Sequence, residues 1–231
     1  MKVMILAAGR GARMRELTAQ KPKPLLEIGG QPMIVRLLKQ LRNSGFTDFV
    51  INHAWQGQKL VTALGDGSQW GVSIRWSAER VALETAGGIA HALPLLGDNF
   101  FAVVNGDIFT DFNFAGLNAL EQQISRQQAV GGCILVPNPV HHPAGDFTLT
   151  NNGFLHPEGN NQLTYSGIGV FKPSMFAGIA PGTAAPLGPL IRQFAANQKI
   201  LARLHDGLWS DVGTPERLNE VNQLLKNGTS G

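Results

Sequence analysis

Through the first half of the chain, apolar runs of strand length alternate with segments of helical periodicity, and this alternation limits the fold more than any other feature. Residues 3–7 read as a buried strand. Pro32 is placed to open a helix whose apolar positions Ile34, Leu37, Leu38 and Leu41 share one face, and Gly45 to stop it. Residues 49–52 form the next strand, 56–64 a helix and 72–76 a strand. Residues 86–93 form a glycine-containing helix that Pro94 should end or kink, and 100–104 a fully apolar strand. Strand, helix, strand in this order implies right-handed crossovers, a largely parallel sheet and an α/β fold with helices on both faces.

The second half changes character. Residues 129–136 are a further apolar strand, followed by a loop rich in His, Pro and Gly over 137–145. Runs at 146–149 and 164–171 add strands, expected to be antiparallel. Helices are expected over 187–197 and 215–225, separated by a strand at 200–205, and the polar residues 226–231 read as a frayed terminus. With no internal repeat and no long linker, residues 1–231 read as one domain with two unequal parts.

Composition narrows the function class. Hydrophobic residues at 43% and charged residues at 15% place the chain among globular proteins, away from disorder. The net charge of +3 comes from scattered Lys and Arg, too diffuse for a nucleic-acid footprint. A single cysteine, Cys133, excludes an internal disulfide and fits a reducing compartment. The apolar run at the N-terminus is too short for a signal sequence, and no stretch reaches the roughly 20 apolar residues that span a bilayer. Neither a membrane nor a nucleic-acid partner is expected, and the expected location is the cytoplasm.

The chemistry-bearing motifs begin with Leu6-Ala7-Ala8-Gly9-Arg10-Gly11-Ala12-Arg13-Met14, a glycine-rich turn directly after the first strand. Such a turn lets backbone N–H groups approach a polyphosphate, and Arg13 adds charge-assisted bonds to phosphate oxygens. Met14 stands where a dinucleotide fingerprint needs its third glycine, and no Gly-Lys-Ser/Thr of a P-loop follows. In Lys21-Pro22-Lys23-Pro24-Leu25, two prolines stiffen the backbone around Lys23, which lowers the cost of holding its ammonium against a phosphate. Val104-Asn105-Gly106-Asp107 ends an apolar strand, where a carboxylate points into the ligand crevice of an open α/β sheet. Asp211, in Trp209-Ser210-Asp211-Val212-Gly213-Thr214-Pro215, is its candidate partner, and two carboxylates plus phosphate oxygens make the hard oxygen site that Mg²⁺ prefers. A lone Asp in such a place also serves as a turn former or helix cap. In Leu83-Glu84-Thr85-Ala86-Gly87-Gly88-Ile89, small residues at a helix start let a flat base approach, with Thr85 as the expected N-cap. His141 and His142 invite a zinc reading, but no cysteine or third ligand stands at a suitable spacing.

On the glycine turn and the Pro22-Lys23-Pro24-Leu25 segment together, the chain resembles the sugar-nucleotidyltransferase (NDP-sugar pyrophosphorylase) family. Glu16 departs from the proline that many relatives carry there. The resemblance implies a glycosyltransferase-A-like, Rossmann-like sheet with a small antiparallel sugar-binding lobe. Its nucleotide-binding part would span about residues 1–128 and its sugar-binding part about 129–231. It further implies that Ala8, Gly9, Gly11, Ala12 and Arg13 cradle the nucleoside triphosphate and that Lys23 and Arg13 act in catalysis. Glu84, Gly87, Gly88 and Asn105 would lie against the nucleoside, while Asp107 and Asp211 would share one Mg²⁺. The loop from Asn138 to Phe147, with Asn52-His53-Ala54-Trp55 and Gly65-Asp66-Gly67-Ser68, is similar to the branch that transfers uridylate to N-acetylmuramate 1-phosphate in peptidoglycan recycling. Asp146, then Ser166 and Gly167, are the sugar contacts this likeness suggests. Other sugar 1-phosphates (glucose with dTTP or UTP, mannose with GTP) and a non-catalytic nucleotide-sugar sensor are the alternatives. With only a short stretch after residue 214, no C-terminal acyltransferase domain is expected.

Overall fold

The computed structural model describes residues 1–228. Seven strands build one sheet: β1 (Lys2–Leu6), β2 (Asp48–His53), β3 (Ser73–Ala78), β4 (Phe101–Asn105), β5 (Gly131–Val136), β6 (Thr164–Phe171) and β7 (Ile200–Leu204). Their order is β7-β5-β6-β4-β1-β2-β3. Only β6 runs antiparallel to its neighbours β4 and β5, and the other pairings are parallel. The antiparallel strand expected near 164–171 therefore sits inside the main sheet. The smaller antiparallel pieces are the pair Glu27–Ile28 with Gln31–Pro32, the pair Thr148–Leu149 with Leu155–His156 and the ribbon Ile108–Thr110 with Trp209–Asp211.

Alternation along the strands explains why helices cover both faces. Val3 and Ile5 belong to one buried cluster and Met4 to the other; Ala102 and Val104 divide from Phe101 and Val103 in the same way. Against the first face pack α1 (Met33–Asn43), α2 (Gly57–Leu64) and α4 (Gly116–Arg126). Against the second lie α3 (Glu84–Leu96) and α5 (Leu187–Ala196). Each fully buried Leu, Ile, Val or Phe contributes about 1.5–3 kcal/mol, so a one-residue slip that turned such a row toward water is heavily disfavoured. The last helix, α6 (Pro215–Gly228), closes a third cluster with Met14, Ile28, Phe109 and Val212, which ties the glycine turn to the end of the chain.

Four local expectations need correction. Helix α4 was not expected, although Leu117, Leu120 and Ile124 recur at helical spacing and are buried. Pro94 neither ends α3 nor stands outside it. The helix runs on to Leu96, because a proline in the last turn removes a single N–H donor and Lys2 Nζ caps the Leu95 and Leu96 carbonyls at 3.0 and 2.9 Å. Thr85 is not the N-cap. It lies in the first turn of α3, and its hydroxyl accepts the Leu187 N–H at 2.7 Å, joining the starts of α3 and α5. Residues 226–228, expected to fray, continue α6, and 229–231 lie outside the described residues.

Candidate active site

The parallel strands β1, β2 and β4 end at one crevice, the place where open α/β sheets collect ligands. A cavity of about 380 Å³ lies there. From the turn after β1 come Ala8, Gly9, Gly11, Ala12 and Arg13; from the far wall, Glu84 and Thr85; from the end of β4, Asn105 and Asp107. A methyl group placed on Gly9 would meet nothing within 4 Å, so no part of the protein fills the space in front of that backbone. Gly11 is different. Its φ of +67° is one that L side chains rarely adopt, and a Cβ there would stand 3.1 Å from Lys23 Cβ. The turn is glycine-rich in part to seat the lysine stem.

Lys23 is 8% exposed, and its ammonium pairs with the Asp107 carboxylate. The ribbon sets the geometry of the two carboxylates: Asp211 pairs with Ile108 in register, and the Val212 N–H reaches the Asp107 carbonyl at 2.8 Å. Asp211 thus shares a rung with Ile108, and Asp107 is the residue just before it. Asp211 pairs with Arg217 from the first turn of α6, and His141 Nε2 lies 3.0 Å from Asp211 Oδ1. Arg217 Nη1 is 2.6 Å from the same His141 nitrogen, which must therefore accept when it faces the guanidinium. The ion pairs engage Oδ2 of Asp107 and Oδ1 of Asp211. Among the described residues no group of three or more His, Cys, Asp or Glu side chains is arranged as a metal cage.

A second cavity of about 320 Å³ adjoins the first, sharing Arg13 and Asn105 as walls. It is lined further by His141, His142, Thr164, Tyr165, Ser166, Trp209 and Asp211. Of the expected sugar contacts only Ser166 lines it. Its hydroxyl donates to the Ile134 carbonyl at 2.8 Å and accepts from the Ile168 N–H at 3.2 Å. Gly167 forms the bulge of β6 with φ +77°, where a Cβ would stand 2.5 Å from Asn105 Nδ2, so the glycine admits the Asn105 side chain. Asp146 does not line the cavity. Its Oδ2 accepts the Tyr165 N–H at 2.9 Å, and its Oδ1 lies 3.0 Å from His142 Nε2.

Gly87 and Gly88 also stand away from the cavity. A Cβ on Gly87 would meet the Thr183 carbonyl oxygen at 2.3 Å, and one on Gly88 would meet Asn52 Nδ2 and Glu79 Oε1, both at 2.7 Å. They are small for packing behind the wall. What Gly88 admits is a buried relay that the sequence did not disclose. The Ala7 N–H donates to Asn52 Oδ1 (2.8 Å), Asn52 Nδ2 donates to Glu79 Oε1 (2.7 Å), and the Leu83 N–H donates to Glu79 Oε2 (2.8 Å). One buried carboxylate thereby ties the glycine turn to the segment before α3. Burial lowers the pKa of neighbouring His53, opposed by the Glu79 charge. Arg217 was missed as well, since an arginine in the first turn of a terminal helix carries no motif of its own.

A family model described as nucleotidyl transferase matches residues 2–149, which include the glycine turn, Lys23 and Asp107. The chain belongs to the nucleotidyl transferase family. Two members of known sequence match it almost end to end. One, the N-acetylmuramate alpha-1-phosphate uridylyltransferase of Neisseria meningitidis, is 49% identical over 97% of this chain and 98% of its own length. The other, of the same name from Caulobacter vibrioides, is 32% identical over 92% of each. Among solved structures, a Bacillus anthracis protein assigned as a glucose-1-phosphate thymidylyltransferase superposes with a TM-score of 0.85. That match covers 98% of this chain and 96% of the other at 21% identity, a likeness of fold. Asp211, beyond the span of the family model, lies on the ribbon strand that pairs with Ile108 beside Asp107.

Proposed function

We propose that this nucleotidyl transferase joins N-acetylmuramate 1-phosphate to UTP, giving UDP-N-acetylmuramate and pyrophosphate, a cytoplasmic step of cell-wall recycling. The observation that carries the reading is the pair of adjoining cavities. One is walled by the glycine turn, the other by the β6 bulge and the 137–145 loop, and they meet at Arg13 and Asn105 beside Asp107 and Asp211. Two substrates bound there would bring a sugar phosphate against the α-phosphorus of a triphosphate. The 49% identical relative supports the choice of sugar and base.

The nucleophile needs no general base, because a phosphate monoester with a second pKa near about 6 is already mostly dianionic at neutral pH. The protein's work is positioning and charge neutralisation. The backbone from Ala8 to Ala12 would cradle the triphosphate, and Arg13, on the wall shared by both cavities, would contact both phosphates. Lys23, stiffened by Pro22 and Pro24 and seated on Gly11, would offset the charge that develops on the departing pyrophosphate. Asp107 and Asp211 fit Mg²⁺, a hard cation that takes one or two carboxylates and completes its shell with substrate phosphates and water. When bound, that ion would screen the repulsion between two anionic substrates.

The test is pyrophosphate release with Mg²⁺, crossing UTP, dTTP, CTP and GTP against N-acetylmuramate, N-acetylglucosamine, glucose and mannose 1-phosphates. Turnover concentrated on UTP with N-acetylmuramate 1-phosphate is expected. A preference for another pair would overturn the sugar and base, and silence across the panel would overturn the reaction.

A further inference from the structure

N-acetylmuramate is N-acetylglucosamine carrying a lactyl ether, so the two 1-phosphates differ in charge by one carboxylate. An enzyme that selects the first must offer that carboxylate a donor, and a charged donor discriminates best. The donors on the wall of the sugar-side cavity can be taken one by one. Thr164 Oγ1 donates to Asn138 Oδ1 at 2.9 Å, Ser166 Oγ to the Ile134 carbonyl, and Trp209 Nε1 to the Ser166 carbonyl at 2.9 Å. The Tyr165 hydroxyl is buried and carries no charge. Asn105 carries no charge. Arg13 faces both cavities at the phosphate end, and His141 is engaged by Asp211 and Arg217.

His142 remains. Its side chain is 39% exposed, lines the cavity, and has a carboxylate behind it, Asp146 Oδ1 at 3.0 Å from Nε2. Asp146 is itself fixed through Oδ2 by the Tyr165 N–H of β6. The loop that presents the histidine is pinned at both ends of its turn. Asn138 Nδ2 donates to the Pro143 and Gln162 carbonyls at 3.0 and 2.8 Å, and the His142 N–H donates to the Pro139 carbonyl at 2.9 Å. A ring held in this way by its Nε2 keeps Nδ1 for a ligand. As an imidazolium it donates one N–H to Asp146 and the other outward.

We propose that His142, positioned by Asp146, receives the lactyl carboxylate of the sugar 1-phosphate; the inference rests on the reaction proposed above. It gives the His-rich loop a part in choosing the sugar, and it moves the expected contact from Asp146 to the histidine that Asp146 holds.

The experiment compares kcat/KM for N-acetylmuramate and N-acetylglucosamine 1-phosphates, each with UTP, in the wild type, His142→Gln, His142→Ala and Asp146→Asn. The ratio of the two values is the readout, because an inactive fraction of a poorly folded variant scales both and cancels. The wild type is expected to favour the lactyl sugar, and His142→Gln and His142→Ala to lower that ratio at least about tenfold, chiefly through KM, as loss of a charge-assisted hydrogen bond requires. Asp146→Asn should lower it less. A wild type that favours the lactyl sugar with the ratio unchanged in both His142 variants overturns the role of His142 alone. A wild type with no such preference overturns the proposed reaction, and this inference with it.

Discussion

Each carboxylate at the head of the Ile108–Thr110 ribbon is held by a cation that is itself nearly buried, Lys23 for Asp107 and Arg217 for Asp211, both 8% exposed. The two cations should nonetheless behave differently on removal. Arg217 sits beneath Asp211 and His141 and packs on Gly213, where a Cβ would stand 2.3 Å from its Nη2. Arg217→Ala would leave the Asp211 carboxylate with only His141 beside it, so unfolding free energy should drop by about 1–3 kcal/mol, read from urea midpoints, with Arg217→Lys recovering part. Lys23 lines the cavity proposed for the triphosphate, so Lys23→Ala should lower turnover by about 10²-fold or more in the pyrophosphate assay, the usual loss for a preorganised electrostatic group. A rate within threefold of wild type would remove lysine from the chemistry. His53 supplies a pH signature. Burial lowers its folded pKa below the 6.5 of the free side chain, so the unfolded chain binds the extra proton. Its contribution to stability is therefore present above about pH 6.5 and is lost as the pH falls through the lower folded value. Urea midpoints at pH 8 and pH 5 should differ more for wild type than for His53→Gln.

At the scale of elements, the start of α3 separates what the sequence discloses from what it does not. The glycines at 87 and 88 are visible in the sequence, and a helix start with small residues reads naturally as a nucleoside contact. The structure uses them to admit the 183–185 segment and the Asn52–Glu79 relay. Asn52 and the 183–185 segment come from distant parts of the chain, so local pattern could not distinguish them from a ligand. Glu84 and Thr85, one turn earlier, do face the cavity. The same limit applies to Gly167 and Asp146, whose types suggest ligand contacts but which face Asn105 and Tyr165, whereas Ser166 lines the cavity while its hydroxyl bonds Ile134. By contrast β1, β4 and the placement of Lys23, Asp107 and Asp211 beside one crevice were legible, because apolar runs ending in polar turns report both the strand and where it opens. Gly87→Ala tests the packing role. Its methyl would collide with a backbone carbonyl that no rotamer change can move, so a loss of about 1–3 kcal/mol is expected in urea unfolding. An unchanged midpoint would mean that the 183–185 segment yields freely.

For the molecule as a whole, the two cavities share walls, while the groups that charge them come from opposite ends of the chain. Lys23 and Asp107 come from the first half, Asp211 and Arg217 from the last strand and helix. α6 packs Leu218 and Val221 on Met14 beside the glycine turn, so seating the C-terminal helix is also what completes the proposed phosphate site. Ligand binding should therefore register as global stability. With Mg²⁺ and UTP at about 100 times the dissociation constant, linkage adds about 2.7 kcal/mol, which for a chain of this size raises Tm by about 5–10 °C. The carboxylates cannot cage an ion without phosphate oxygens, so Mg²⁺ alone should move Tm by no more than about a degree, and UTP with EDTA by much less than the pair. Asp107→Asn with Asp211→Asn should remove the part of the shift that depends on Mg²⁺ and leave the part due to UTP. If UTP with EDTA stabilises the wild type as strongly as UTP with Mg²⁺, the two aspartates do not share the ion. Their ion pairs with Lys23 and Arg217 would then be structural, and phosphate charge would fall to Arg13 and the glycine turn alone.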